Sequence, residues 1–213
     1  MSNRDYQAFL FDMDGTLLNS AASAERVWGA WAARHGLDVA AFLPKMHGRR
    51  STDTIRDTGL PGLDIEAEAR SVTDAEIEDT DGTVEIPGAR AFVCALPADR
   101  WAIVTSAPRA LALARLKAAN LPIPTTLVTA EDISAGKPDP EGYLMAARRL
   151  GVDANACLVF EDALPGILAG EAAGAEVLVV GKAAYPSHPA ASDYTALSVS
   201  VSEDGALQLA RLQ

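Results

Sequence analysis

Residues 9–18 read Phe-Leu-Phe-Asp-Met-Asp-Gly-Thr-Leu-Leu, an apolar run that stops at two acids, Asp12 and Asp14, followed by Gly15 and Thr16. The run Ala8–Phe11 is apolar at every position rather than at alternate ones, which suits a strand buried on both faces. Gly15 permits a sharp turn directly after it. Four further runs have the same character: Trp101–Val104, Thr126–Val128, Cys157–Phe160 and Val177–Val180. Helix-length spacers separate most of them and supply the crossovers a parallel sheet needs. The predicted fold is α/β, a doubly wound parallel sheet.

One interval breaks this rhythm. Between Phe11 and Trp101 no comparable strand occurs, whereas Ala21–His35 places Val27 and Trp31 at helical spacing and Ile65–Ile77 is rich in Ala and Glu. The spacing predicts a small helical domain over residues 18–84, inserted in a Rossmann-like core of residues 1–17 and 85–213, with a return hinge near Ile86-Pro87-Gly88. The alternative is that these helices simply pack on the sheet. Lys182–Asp193, with Pro and Ser, reads as loop, and the tail Gly205–Leu212 as a closing helix.

Composition narrows the classes of function. The chain has 213 residues, 49% of them hydrophobic and 22% charged, enough for a sizeable core and too apolar for a disordered chain. Its net charge of -11 and scattered basic residues argue against a nucleic-acid partner. An acidic chain still binds a phosphorylated small molecule if a metal ion and local cations reverse the field in the pocket. Cys94 and Cys157 lie among apolar residues and are read as core thiols rather than a disulfide. The stretch MSNRDYQAFL lacks a leader-like apolar run and no segment is long enough to span a bilayer, so no membrane partner and a cytoplasmic location are expected. Nothing here specifies oligomeric state; a monomer is the simplest reading.

Ligands of open α/β sheets collect at the carboxyl ends of the strands. There the chain places, in order, Asp12 and Asp14, then Thr105 and Ser106, then Lys137 in SAGKPDPEGY, then Glu161 and Asp162. Singly, each has an ordinary reading: a capping loop, a helix cap before Pro108, a surface lysine. Thr105 and Ser106 also precede a helix whose N-terminal amides favour an anion such as phosphate. Two carboxylate pairs side by side repel unless a cation joins them, which implies a hard divalent ion with oxygen ligands.

As a set, FDMDGT, IVTS, GKPDP and VFEDALPGI resemble the four motifs of the haloacid dehalogenase-like hydrolases, and the resemblance covers the whole core. It implies a phosphatase with Asp12 as nucleophile, forming an aspartyl-phosphate, and Asp14 as general acid and then base. It implies Mg²⁺ as cofactor, held by the Asp12 carboxylate, the Asp14 main-chain carbonyl and Asp162, with Glu161 in or near the shell. Thr105, Ser106 and Lys137 would bind the phosphoryl oxygens. The inserted helices resemble the family's cap between its first and second motifs.

Dehalogenase members lack the second aspartate of the first motif, so Asp14 disfavours carbon–halogen cleavage. Ser20–Arg26 contains no histidine, which disfavours a mutase of the β-phosphoglucomutase type. Lys45, the one lysine of the insertion, leaves phosphonatase chemistry doubtful. His47-Gly48-Arg49-Arg50 resembles the cap loop of sugar- and polyol-phosphate phosphatases, with His47, Arg49 and Arg50 as substrate contacts, although a solvated basic loop has the same composition. Glu85 is a further candidate for a hydroxyl contact. The expected substrate is a small sugar or polyol phosphate. A phosphomutase, a phosphonatase and a module that binds a phosphorylated ligand without turnover are the competing readings.

Overall fold

A computed structural model describes residues 4–46, 48–181 and 185–211. In chain order its strands are β1 (Asp5–Tyr6), β2 (Ala8–Phe11), β3 (Leu18–Asn19), β4 (Val84–Glu85), β5 (Trp101–Val104), β6 (Thr126–Val128), β7 (Cys157–Glu161), β8 (Glu176–Val180), β9 (Ala190–Ala191), β10 (Leu197–Val201) and β11 (Leu207–Arg211). The helices of the first half are α1 (Ala21–Arg34), α2 (Val39–Phe42), α3 (Ser51–Asp57) and α4 (Ile65–Glu78). Those of the second half are α5 (Ala89–Cys94), α6 (Arg109–Ala118), α7 (Glu141–Leu150) and α8 (Leu164–Ala172).

The five expected strands form one parallel sheet in the order β6-β5-β2-β7-β8, extended by the short β9. Side chains alternate across it and both faces are buried, as the unbroken apolar runs require. Phe9, Phe11, Ile103 and Phe160 point into one cluster with α5 and α6. Ala8, Leu10, Ala102 and Val159 point into the other with α7 and α8. The first face is aromatic: Phe11 stacks on Phe160 at 4.5 Å between centroids, and Phe9 meets Phe160 edge-on at 5.3 Å. Chain order reverses about β2, which pairs with β5 on one side and β7 on the other. That switch point opens a crevice at the carboxyl ends of these three strands.

The long interval after β2 holds α1 to α4, bracketed by an antiparallel ribbon in which Leu18 faces Glu85 and Asn19 faces Val84. These helices bury an apolar cluster of their own, with Trp28, Trp31, Phe42, Ile55 and Val72 at its centre. On α1 the inward face is Ala24, Trp28, Trp31 and Ala32, so Trp28 takes the place expected of Val27, which is only partly buried. Trp31 Nε1 donates to Glu68 Oε2 at 2.8 Å and ties α1 to α4.

Two expectations are corrected. The tail does not form a helix: Leu207–Arg211 is β11, antiparallel to both β10 and β1. Leu207 and Leu209 alternate with Gln208 and Ala210, a period of two that fits a strand, and Gly205 at φ +82° turns the chain into it. Cys94 is exposed, because Ala89, Phe92 and Val93 take the inner face of α5; Cys157 is buried, and both thiols are free. The expected loop 182–193 includes residues 182–184, outside the described residues, and contains the two-residue strand β9 at Ala190–Ala191. Among the described residues no helix is long and apolar enough to cross a membrane.

Phe9 is fully buried between β-sheet and α5 and touches Phe11, Phe92 and Phe160. Phe9→Ala should lower unfolding free energy by about 3–5 kcal/mol in urea titration. Val201→Ala on the exposed β10 should change it by about 0.5 kcal/mol or less.

Candidate functional site

Strand register levels the site. Phe11 pairs with Ile103 on one side and Phe160 on the other, so Asp12 emerges beside Val104 and Glu161 at the sheet's carboxyl edge. Asp12 N donates to Phe160 O at 3.0 Å, which continues the ladder by one residue and fixes where the carboxylate starts. Met13 turns into the core, and Asp14 comes back to the cleft. The turn that follows is closed by Gly15 N donating to Leu18 O at 2.7 Å.

Gly15 has φ +87°, and a Cβ there would lie 2.1 Å from Asp162 Oδ2. Bare backbone is therefore required for Asp162 to reach Asp12. Gly166, at the start of α8, makes the same allowance for Glu161, whose Oε1 would sit 1.6 Å from an added Cβ. Asp12, Glu161 and Asp162 each bring a carboxylate oxygen within 4.8 Å of the others. Hard oxygen donors grouped so closely suit a divalent ion of the Mg²⁺ or Ca²⁺ type.

Lys137 is the internal counter-charge. Its ammonium donates to Asp12 Oδ1, to Glu161 Oε1 at 2.6 Å and to Val104 O at 3.3 Å, and it lies 5.3 Å from the centroid of Tyr143. Its loop is pinned by Glu141, whose carboxylate accepts from Ser134 N at 3.0 Å, Ser134 Oγ at 2.8 Å and Ala135 N at 2.8 Å. Glu161 is held on both oxygens: Oε1 accepts from Lys137 and from Tyr143 Oη at 2.7 Å, and Oε2 from Asp162 N and Ala163 N. It is thereby better placed to hold Lys137 than to turn toward an ion.

Burial, reinforced by Glu161 and Asp162, pushes Asp12 well above the usual carboxylate range, with the Lys137 ammonium opposing. Burial and then Glu161 push Asp162 up to about 7. Burial alone would lower Lys137; the Asp12 and Glu161 charges outweigh it and raise it.

A cavity opens above this cluster, walled by Asp12, Asp14, Thr105 and Ser106 from the core and by Ser20, Trp28, Arg49 and Glu76 from the long interval. Thr105 Oγ1 accepts from Ala107 N at 3.1 Å, and Ser106 Oγ donates to Gly48 O at 3.0 Å. At the N-terminus of α6, Arg109 N donates to both Glu131 oxygens, at 2.9 and 3.0 Å, so the first amide of that helix already meets an anion supplied by the chain.

The basic loop is split. Arg49 lines the cavity and pairs with Asp57 at 2.5 Å. Arg50 does not line it, because its guanidinium is taken by Asp53 at 2.7 Å and by Ser134 O at 3.0 Å. His47 lies outside the described residues. Glu85 accepts from Arg90 N at 3.0 Å and caps α5 instead of reaching the cavity. Lys45 is exposed and lines a different depression, beside Leu37 and Phe42.

Sequence reading missed Tyr143, Glu76 and Arg115. Glu76 sits on the buried stripe of α4 with Ala69 and Val72, and Arg115 on that of α6 with Leu111 and Ala112. A charge on an apolar stripe was the available clue.

The sequence profile of the haloacid dehalogenase-like hydrolases matches residues 6–174. The chain is 42% identical over 178 residues to hexitol phosphatase A of Escherichia coli, covering 82% of each protein. It is 33% identical over 189 residues to 2-deoxyglucose-6-phosphate phosphatase 2 of Saccharomyces cerevisiae, covering 78% of this chain and 76% of that one. A hydrolase from Pseudomonas syringae superposes with a TM-score of 0.71 at 27% identity, over 82% of this chain and 84% of the other.

Acids whose folded pKa lies above the unfolded one bind protons more tightly when folded, so stability falls as pH rises from the ordinary carboxylate range to about 7. In chelator-treated protein the urea midpoint should fall between about pH 4 and about pH 7, and Asp162→Asn should remove part of that fall, on the order of a few kcal/mol. A midpoint that rises over this window would contradict the burial described for Asp162.

Proposed function

Because the chain belongs to the haloacid dehalogenase-like hydrolases, we propose that it hydrolyses a sugar or polyol phosphate monoester through an aspartyl-phosphate on Asp12, with Mg²⁺ as cofactor. The observation that carries this reading is the Asp12 carboxylate, tethered by Lys137 at the floor of a cavity and within 4.8 Å of the Asp162 and Glu161 oxygens. The polyol or sugar as substrate class rests on the likeness to the hexitol and deoxyglucose phosphatases.

The ion would be held by the Asp12 carboxylate, the Asp14 main-chain carbonyl and Asp162, and when bound it supplies positive charge between an anionic nucleophile and an anionic phosphate. Asp12 attacks phosphorus through a carboxylate oxygen, the ester P–O bond breaks, and the leaving oxygen takes a proton from Asp14. Water then attacks the same phosphorus, gives its proton to Asp14, and the bond to Asp12 breaks, which frees inorganic phosphate and restores the carboxylate. Lys137, fixed by Glu161 and Tyr143, orients Asp12 and faces the charge that spreads over the phosphoryl oxygens. Thr105 and Ser106 complete the phosphoryl cradle, Ser106 releasing Gly48 O to do so.

Residues 18–84 act as a cap on a core of residues 1–17 and 85–213, hinged at the ribbon of β3 and β4. The separate apolar cluster of α1 to α4 allows them to move as a body, and the cavity walled from both sides gives closure something to enclose. Arg49 reads the far end of the substrate in this arrangement, with His47 beside it in sequence. The exposed position of Lys45 speaks against a lysine-based phosphonatase.

Purified protein should release phosphate from members of a panel of hexitol, sugar, glycerol and nucleoside monophosphates and from p-nitrophenyl phosphate, with the highest kcat/KM for a sugar or polyol ester. Chelation should stop turnover and Mg²⁺ restore it, and Asp12→Asn should lower kcat by about 10³-fold or more. Release from none of the panel with Mg²⁺ present would overturn the reading.

A further inference from the structure

Arg115 is a buried cation that the reaction as derived above leaves without a task. It projects from α6 with its side chain only 7% exposed, and its Nη1 lies 3.0 Å from Asp14 Oδ1. Its Nη2 donates at 2.8 Å to Oε1 of Glu76, which is 4% exposed and comes from α4. All three side chains border the cavity above Asp12. Ser20, at the entry to α1, donates to the same Asp14 oxygen at 2.5 Å. Asp14 is thus gripped on Oδ1 from two directions, and Oδ2 is bound by neither group. Both grips trace to the segment 18–84, one through Ser20 near its start and the other through Glu76 near its end.

We propose that Arg115 is a positioning residue for Asp14, and that Glu76 makes this positioning depend on the seating of the inserted helices against the core. The proposal rests on Asp14 being the group that protonates the leaving oxygen. A buried charge cluster is weak evidence for stability, since apolar side chains of similar size serve that purpose as well or better. What the cluster does supply is geometry. A planar guanidinium with two separate N–H groups holds two carboxylates at a set spacing, one from each side of the cleft. While Glu76 occupies Nη2, Arg115 offers Asp14 one nitrogen in one direction. If α4 moves away, Arg115 loses that anchor and the Asp14 carboxylate loses its defined rotation. Proton delivery is then available only when the cap is seated over substrate, so that water in an open site meets a poorly aimed Asp14.

The measurement is the dependence of kcat/KM on leaving-group pKa across substituted phenyl phosphates of near-constant shape, with Mg²⁺ present. Wild type should show a shallow slope because the leaving oxygen is protonated as it departs. Glu76→Gln and Arg115→Lys should steepen it, so that loss grows with leaving-group basicity and reaches about 10-fold or more for unsubstituted phenyl phosphate. The double variant Glu76→Met with Arg115→Met removes both charges together, keeps the volume, and should show the same steepening even if a single variant folds poorly. A uniform loss across the series, or none, in the folded variants would overturn the assignment and leave Arg115 a structural residue. A wild-type enzyme inactive on every ester would instead overturn the phosphatase reading, a different result on the same plates.

Discussion

Three carboxylates share one end of the sheet because a single ammonium is buried among them. Lys137 reaches Asp12 and Glu161 at once, and without it two charges would be held out of water with no partner. Such a cluster stands only if the lysine is held as firmly as the acids. The loop before α7 is fastened by three contacts to Glu141, while Tyr143 and two main-chain amides occupy the remaining sites on Glu161. Burial first, and then the repulsion of neighbouring acids that one lysine does not cancel, pushes Asp12 and Asp162 toward protonation, and the charge left over gives a divalent ion something to bind.

The sheet decides that these groups meet. Parallel strands in register end at a common level, so residues far apart in sequence arrive at one edge without any search by long side chains. Aromatic packing on one face and mainly aliphatic packing on the other hold β2 between β5 and β7, the position where the chain order reverses. The two glycines that pass against Asp162 and Glu161 then set the final approach, since any larger residue would occupy the space of the carboxylates.

The helices of the long interval touch the core through polar contacts at the cleft rim, Arg50 to Ser134 O, Ser106 to Gly48 O and Glu76 to Arg115, and through Ile77 of α4, which packs against the apolar cluster of the sheet. Their apolar surface is spent mainly on one another. Polar contacts exchange readily for water at a rim, whereas a large shared apolar core would fuse the two parts. The two arginines of the same loop have different surroundings, Arg49 facing the cavity and Arg50 clasping the Lys137 loop.

Local pattern alone was sufficient for the parallel sheet, for α1 and α4 of the long interval but not for the short α2 and α3, and for the acids and lysine at the strand ends, because burial on both faces and turn chemistry leave their mark on neighbouring residues. The tail was misread because Gly205–Leu212 is short enough for helix and strand periods to compete, and pairing with β10 and β1 settled it. Which charges face one another was beyond any local pattern. Glu131 meeting the first amide of α6, Arg50 turning to Ser134 O, and Arg115 meeting both Glu76 and Asp14 are contacts between residues brought together only when the helices close over the sheet. Sequence determines what each segment can bury; the tertiary structure decides which buried charges must neutralise each other, because a charge taken out of water accepts whichever partner the fold sets within reach.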